Sequence, residues 1–522
     1  MVSADVSALP AYVPLEAERP EPVRGEARRR PPRWLWPALG LFVLCRIPSF
    51  YEPHWYTDEA GYATVARMVL HGLDLYSQAW TNKPPLQIWT VALALKLFGI
   101  SEAGLHLLTF ASGLAALLAV AWMAGRLLDP LRAGLATAAF ALAVGLPWFE
   151  AEVAVPESLL LGPATWAGAL VVARLAAPRR SRWWRWGWAP VAGALVGAAG
   201  AYQQTELADA LALGLVLLLS PRVSRRELGL YLSAALGVTA AWLLPSVAIA
   251  GAEMVRFSLA GFYVDYAAAS SPGLVGDALC AIAALAVLVG AVLSRRSTSP
   301  AWAIWVWAAA DLGVAAIAHR PYPHFLTPAL APSILALASV PLPPWRLPLR
   351  ALPLVAGMVL VALMAGVSGV NQKAVFNYGV WYWRAVSSGQ LPRSEWLANL
   401  DDRAPADRAV ADWLRAQGLE GTCAVVWSSD AWPYLLAGMP VQLPTAPIYN
   451  DVVLSGGSDQ AVTDQVRALH PTVIVVSVDA AAQWPSIQVL LDHQYQLALA
   501  SYPDLVYVRR GLQLPATAPE VC

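Results

Sequence analysis

The feature that most constrains this chain is the repeated return of apolar runs about 20 residues long. They begin near Trp34, Ala103, Ala133, Glu157, Trp188, Glu206, Leu228, Leu274, Ala301, Phe325 and Ala351. A helix of that length can cross the hydrocarbon of a bilayer while satisfying its own backbone groups. Of the 522 residues, 58% are hydrophobic and only 13% charged, too little charge to solvate so much apolar chain in water. The chain therefore reads as an α-helical polytopic membrane protein with about eleven transmembrane helices. Its formal net charge of +0 supplies no field for nucleic acid, so no nucleic-acid partner is expected.

Charge placement orients the spans. With a cytoplasmic N-terminus, alternate loops carry Arg126 and Arg132, then Arg174, Arg179, Arg180, Arg182 and Arg185. The series continues with Arg222, Arg225 and Arg226, then Arg295 and Arg296, then Arg346 and Arg350. The opposite loops hold scattered cations, Lys83, Arg256 and Arg320 among them, as the positive-inside rule leads one to expect. Counting the short apolar stretch 86–98 as a span would reverse every later loop. It is therefore expected on the outer membrane surface, beside a preceding helix over about 58–73, inside a long first outer loop, 51–102. Trp183, Trp184, Trp186 and Trp188 among Arg180, Arg182 and Arg185 read as an interfacial girdle.

Three regions follow: a disordered cytoplasmic tail over 1–33, a membrane region over 34–370, and a soluble extracytoplasmic α/β domain over 371–522. In the last, ADRAVADWLRAQG and SIQVLLDHQ read as helices, whereas CAVVW, PTVIVVSV and LVYVRR read as strands. An odd span count leaves this domain outside a cell inner (plasma) membrane. Cys45 and Cys280 lie in apolar runs, and Cys423 and Cys522 pair only if their compartment is oxidising.

The polar residues of the outer loops carry the chemistry. His54-Trp55-Tyr56-Thr57-Asp58-Glu59-Ala60-Gly61-Tyr62 opens the first surface helix. Read plainly, Thr57 caps it and the acids suit its positive end. Read chemically, a carboxylate at headgroup depth is a general base for an acceptor hydroxyl. Downstream, Lys83 in Thr81-Asn82-Lys83-Pro84-Pro85 either snorkels to the interface or holds a phosphate. Glu150, Glu152 and Glu157 cluster before a span, where burial in hydrocarbon is costly, so they face water or a cavity. His319, Arg320 and His324 crowd one late outer turn, a setting for an anionic headgroup or for interfacial anchoring.

With these residues in place, the chain resembles the GT-C glycosyltransferases. The pattern is similar to the branch of the aminoarabinose transferases and the dolichyl-phosphate-mannose protein mannosyltransferases. The resemblance rests on Asp58-Glu59 after the first span, Tyr62, the Lys83-Pro84 step and the Leu97-Phe98-Gly99 helix end. Glu157, and His324 followed by Pro328 and Pro332, extend it across roughly 34–345, and Trp432-Pro433-Tyr434 continues it loosely. It implies inverting transfer of a sugar from a polyprenyl-phosphate donor to a hydroxyl of an acceptor lipid, glycan or protein. Catalytic roles fall to Asp58, Glu59 and Glu157, donor-phosphate contacts to Lys83, Arg320 and His324, and acceptor or sugar contacts to Tyr62 and Glu152. No cofactor is required, and a divalent cation between Asp58 and Glu157 is left open. Two departures stand out: Gly61 where relatives carry a basic residue, and Tyr202-Gln203-Gln204-Thr205-Glu206 where they carry a Lys. These argue against aminoarabinose as the sugar.

Two readings from other classes compete. A transporter or lipid flippase would carry charges deep in the membrane, for which Asp209 and Asp311 are the nearest candidates. A structural subunit whose soluble domain recruits partners would have no need of Asp58 and Lys83.

Overall fold

The computed structural model describes residues 32–176, 187–264, 300–317, 322–339, 401 and 403–514, with 285, 288, 382, 384, 388 and 389 as isolated positions. The apolar runs from Leu274 and Ala351, Trp183, Trp184 and Trp186 of the girdle, the N-terminal tail before residue 32 and Cys522 lie outside the described residues. Every other apolar run coincides with a helix. These are α1 (Leu35–Arg46), α4 (Glu102–Leu127), α5 (Pro130–Gly145), α6 (Pro156–Ala176), α7 (Trp188–Tyr202), α8 (Leu207–Leu219), α9 (Arg225–Ala250), α10 (Ala301–Ile317) and α11 (Thr327–Ala338). Of the described helices, α4, α6 and α9 are long and apolar enough to cross a membrane. Between α1 and α4 lie α2 (Thr57–Leu70) and α3 (Pro85–Phe98). At 14 residues, α3 is about 21 Å long, short of the roughly 30 Å hydrocarbon core. Its Ile88, Val91, Ala92 and Leu95 are buried, whereas Trp89, Leu93 and Leu97, spaced one turn apart, form an exposed apolar stripe.

Helix ends are written in the sequence. Asp129 caps α5 by accepting from the Leu131 and Arg132 N–H groups at 3.1 Å. Ser224 and Glu227 form a reciprocal capping box at the start of α9. The same Glu227 accepts from Arg174 Nε at 2.7 Å and from Trp188 Nε1 at 3.2 Å, so one buried carboxylate joins α6, α7 and α9. Arg174 is thus committed to an internal pair rather than to a loop. Small residues let α7 meet α9 closely. A Cβ added to Gly193 would sit 2.1 Å from the Tyr231 carbonyl oxygen, and one on Gly197 2.9 Å from that of Ala235. The Gly193-x-x-x-Gly197 spacing is the close-approach pattern of membrane helices.

In the C-terminal region, α12 (Arg403–Ala416) precedes β1 (Ala424–Trp427), and β2 (Val473–Ser477), β3 (Tyr495–Ser501) and β4 (Asp504–Arg509) complete a sheet of order β1-β2-β4-β3. β1 and β2 run parallel with Val425 opposite Ile474, and β2 pairs antiparallel with β4, Val475 opposite Val506. The parallel pair, β1 and β2, is buried on both faces, which is why both read as unbroken apolar runs. One face packs on Ile448, Val462, Val466 and Leu490. The other, through Val426 and Val475, shares a core with Val410 and Leu414 of α12 and with Ala63, Ala66 and Val91 of α2 and α3. Arg67 of α2 donates to the Tyr434 carbonyl at 3.0 Å and to that of Met439, and the Trp80 N–H donates to the Pro444 carbonyl at 2.8 Å. The first-loop helices are therefore the seat on which the sheet rests. Cys423, just before β1, is disulfide-bonded.

Candidate active site around the first-loop helix

Tyr56 is the N-cap of α2, extended in backbone and without a side-chain cap, so Thr57 is the first helical residue and not the cap the plain reading assigns. Asp58 and Glu59 follow in the first turn, at the positive end of the helix. Successive helical residues point about 100° apart, so the two carboxylates leave α2 in different directions. Tyr62 lies one turn beyond Asp58 on the same face.

Asp58 is half-buried. Burial raises its carboxyl above the usual range, the charges of His324 and Lys83 pull it down, and those of Glu157 and Glu150 push it further up. Tyr62 is held neutral by burial and by the charges of Asp58 and Glu157. Lys83 is nine-tenths buried. Burial works against its charge, but Tyr263, Glu157 and Asp58 outweigh it and hold the ammonium above its ordinary range. Its Nζ stands 5.6 Å from the centre of the Tyr263 ring. The loop that carries it is fixed by backbone contacts. Tyr76 OH donates to the Lys83 carbonyl at 2.8 Å, and Tyr263 OH to that of Asn82 at 3.2 Å. Lys83 does not snorkel; it is aimed inward.

Glu157, second residue of α6, accepts from Gln203 Nε2 at 3.2 Å. A neutral donor therefore holds the acid there. His324 sits in a short turn, Pro323–Leu326, with its Nδ1 2.6 Å from Glu150 Oε2. Tyr56 OH donates to the same carboxylate at 2.6 Å. Burial alone would lower the His324 pKa, but the Glu150 hydrogen bond and the charges of Glu157, Glu150 and Asp58 raise it. The structure thus brings Asp58, Tyr62, Lys83, Glu157 and His324, drawn from four separated stretches of chain, into one electrostatic neighbourhood.

Two expected members stand apart. Glu59 turns toward α4, where its Oε1 is 3.4 Å from His106 Nε2 and accepts from the Ala154 N–H. Glu152 belongs with Glu52 and Arg46; burial and Glu52 push it up to about 8 while Arg46 opposes them. Arg320 lies outside the described residues. Among the described residues, the groups that could hold a metal ion are Glu59–Glu102–His106 and Glu206–Asp209–Asp311, and neither contains the Asp58–Glu157 pair. The second joins the two membrane-region acids, Asp209 and Asp311, with Trp307 Nε1 donating to Asp209 Oδ2 at 2.9 Å. Sequence reasoning missed Tyr263, Gln203 as a partner of Glu157, and Glu150 as a partner of His324. Glu150 adopts a left-handed backbone that nothing in its sequence announces.

The fold just described is also that of ArnT from Cupriavidus metallidurans and of the archaeal oligosaccharyltransferase AglB. The structure of ArnT from Cupriavidus metallidurans bound to undecaprenyl phosphate matches it with a TM-score of 0.53 at 18% identity, over 94% of this chain and 98% of that one. ArnT in the apo state matches with a TM-score of 0.52 at 18% identity, over 91% and 96%. The archaeal oligosaccharyltransferase AglB from Archaeoglobus fulgidus, in complex with an inhibitory peptide and a dolichol-phosphate, matches with a TM-score of 0.51 at 13% identity, over 92% of this chain and 74% of that one. No protein-family model matches the chain, and no curated protein matches it in sequence. The likeness expected from Asp58-Glu59 and Lys83-Pro84 is therefore a likeness of fold spanning nearly the whole chain.

Proposed function

We propose that this protein transfers a sugar, hexose or pentose, from a polyprenyl-phosphate donor to an acceptor hydroxyl at the outer face of a plasma membrane, by a single inverting displacement. The observation that carries the reading is Asp58 within electrostatic reach of the buried Lys83, with Glu157 and His324 in the same neighbourhood. A lipid-linked sugar presents its anomeric carbon at headgroup depth, which is where a first-loop carboxylate and an inward-pointing ammonium are useful. Asp58 takes the proton from the acceptor hydroxyl as it attacks. Its raised pKa makes it a stronger base than an ordinary carboxylate. Lys83, with His324 protonated and Arg320 from the same late turn, stabilises charge on the departing phosphate. Glu157 and Tyr62 line the sugar and acceptor side. Glu59 acts through the position of α2. Lys83 supplies the positive charge that a divalent cation between Asp58 and Glu157 would otherwise bring. ArnT is bound to undecaprenyl phosphate and AglB to a dolichol-phosphate, and a donor of that class suits this chain.

In this reading about eleven helices span the bilayer, the N-terminus is cytoplasmic and the sheet region, 371–522, lies outside. α3 rests on the membrane with Trp89, Leu93 and Leu97 in lipid. The sheet, seated on α2 and α3, then roofs the acceptor entrance. A transporter reading draws on the buried Glu206–Asp209–Asp311 group; the GT-C fold favours the transferase.

The deciding experiment incubates the purified protein with a panel of polyprenyl-phosphate sugars. Transfer or donor hydrolysis that is absent in Asp58→Asn supports the proposal. Donor left intact by wild type across the panel, together with sugar-lipid movement across vesicles, would sink it in favour of the transporter.

A further inference from the structure

Beside the proposed active site, on the other side of α2, Glu59, Glu102 and His106 meet in a fully buried group that the transfer chemistry does not use. Each has one side-chain atom committed and another free. His106 Nδ1 lies 2.6 Å from the Ser49 carbonyl oxygen, an acceptor only, so Nδ1 carries the ring proton. Glu102 Oε2 is bonded to His54 Nδ1 at 2.7 Å, and Glu59 Oε1 accepts from the Ala154 N–H. What remains is His106 Nε2, Glu102 Oε1 and Glu59 Oε2, none of which makes a hydrogen bond among the described residues. In a neutral imidazole fixed this way, Nε2 presents a lone pair, and it points at carboxylate oxygens. Three electron pairs converge with nothing between them.

The spacing separates two ways of resolving this. A direct imidazolium–carboxylate bond would bring nitrogen and oxygen to about 2.7–2.9 Å. His106 Nε2 is instead 3.4 Å from Glu59 Oε1, the oxygen that also accepts from the Ala154 N–H, and 3.7 Å from Glu102 Oε1, and one ligand atom from each of the three residues lies within 4.8 Å of the others. Ligands held about 2.0–2.2 Å from a tetrahedral centre stand roughly 3.3–3.5 Å from one another. The outer partners are also those of a metal site: a backbone carbonyl on the histidine, and donors on both carboxylates, fixing tautomer and orientation.

We propose that Glu59, Glu102 and His106 bind a zinc ion, with water completing the tetrahedron, and that this ion clips the first-loop helix to α4. Two carboxylates and one imidazole are hard and borderline donors that suit zinc. The clip fixes the turn that carries Asp58, so the ion positions the base without touching substrate.

The test measures metal directly. Full-length protein is purified in detergent from zinc-replete cells and its metals are counted by mass spectrometry. About one zinc per chain is expected in wild type, and its loss in both His106→Gln and Glu102→Gln. Asp311→Asn is expected to keep it, because that change touches the other acidic group. Since a ligand variant can fail to fold, wild type is also stripped with a chelator and reloaded with cobalt(II). Visible absorption of a four-coordinate cobalt site, displaced by zinc, is the expected result. Wild type without zinc and without cobalt absorption would overturn the proposal and leave a protonated His106 between two carboxylates. Zinc that survives both ligand substitutions, or is lost only in Asp311→Asn, would overturn it as well.

Discussion

Asp58 and Glu59 are neighbours in sequence, in one helical turn, at the same end of the same dipole, yet they enter opposite environments. Asp58 is half-buried beside a Lys and a His it does not bond, and burial with two flanking acids leaves its carboxyl raised. Glu59 is fully buried, its Oε1 accepting from the Ala154 N–H and lying 3.4 Å from His106 Nε2. The fold stabilises the charge on one and strains it on the other. A strained charge is reactive, whereas a satisfied one is structural. The lesson is that a paired acidic motif need not be a pair of catalytic acids.

The largest expected effect comes from exchanging each carboxylate for its amide. Asp58→Asn should lower transfer by at least about 10²–10⁴-fold, the range of a general base, and leave thermal stability equal or slightly higher because a strained charge is removed. Glu59→Gln should do the reverse in kind, costing about 3–5 kcal/mol by leaving His106 and Glu102 without their partner. Transfer assays and melting curves in detergent on the two variants side by side check this. A destabilised Asp58→Asn with a fully stable Glu59→Gln would break the comparison.

Lys83→Ala is next. Removing the buried ammonium beside Asp58 should cut transfer by roughly 10²-fold, the scale of a lost charge-stabilising donor, and weaken saturation by donor. Donor dependence of the initial rate reads this. An unchanged response to donor with a slower rate would move Lys83 from the phosphate to Asp58 alone.

How much of this was legible beforehand divides along physical lines. The helices of the membrane region follow from runs of apolar residues, a local property, and each run within the described residues is a helix. The strands at Ala424–Trp427 and Val473–Ser477 were legible for the same reason, since buried parallel strands are unbroken β-branched runs. Asp58, Lys83, Glu157 and His324 were visible as polar residues in a sparsely charged chain. Which of them meet was not. Glu59 differs from Asp58 only by the rotation of one helical residue, and Glu152 faces Glu52 and Arg46 because a loop folds that way. Tyr263 lies 181 residues from the Asn82 carbonyl it contacts, with no periodicity to advertise it.

A smaller effect tests the late-turn side of the Asp58 neighbourhood. The His324 pKa is raised, so the protonated His324–Glu150 pair contributes stability and charge fully below the ordinary imidazole value of about 6.5. That contribution is lost as pH rises through the raised value. Transfer should therefore fall on the alkaline side with an apparent pKa above that of free histidine, at most about tenfold per pH unit. In Glu150→Gln the limb should move to lower pH, since burial still depresses the pKa while the carboxylate that raised it is gone. A limb that stays put in that variant would detach His324 from Glu150.

The smallest effect concerns a third face of the same helix. Gly61 turns toward the sheet region. A Cβ added there would meet the Ala446 carbonyl oxygen at 3.3 Å and Pro447 Cδ at 3.5 Å. Contact that tight needs only a few tenths of an ångström of give, so Gly61→Ala should cost no more than about 1 kcal/mol, partly offset by better helix propensity. A long basic side chain, such as relatives carry at this position, cannot be taken up in the same space. Gly61→Lys should lift the segment after Pro444 away from α2 and loosen the docking made by Arg67 and Trp80. Limited proteolysis of the sheet region should then quicken in Gly61→Lys and not in Gly61→Ala. If both variants cleave like wild type, the small residue is not what lets the sheet close over the helix. The missing cation would then be a difference in donor recognition alone. If only the lysine variant opens, the absent cation and the seated sheet have one cause. The Ala446–Pro447 wall would then lie against the helix that bears Asp58 because residue 61 is small.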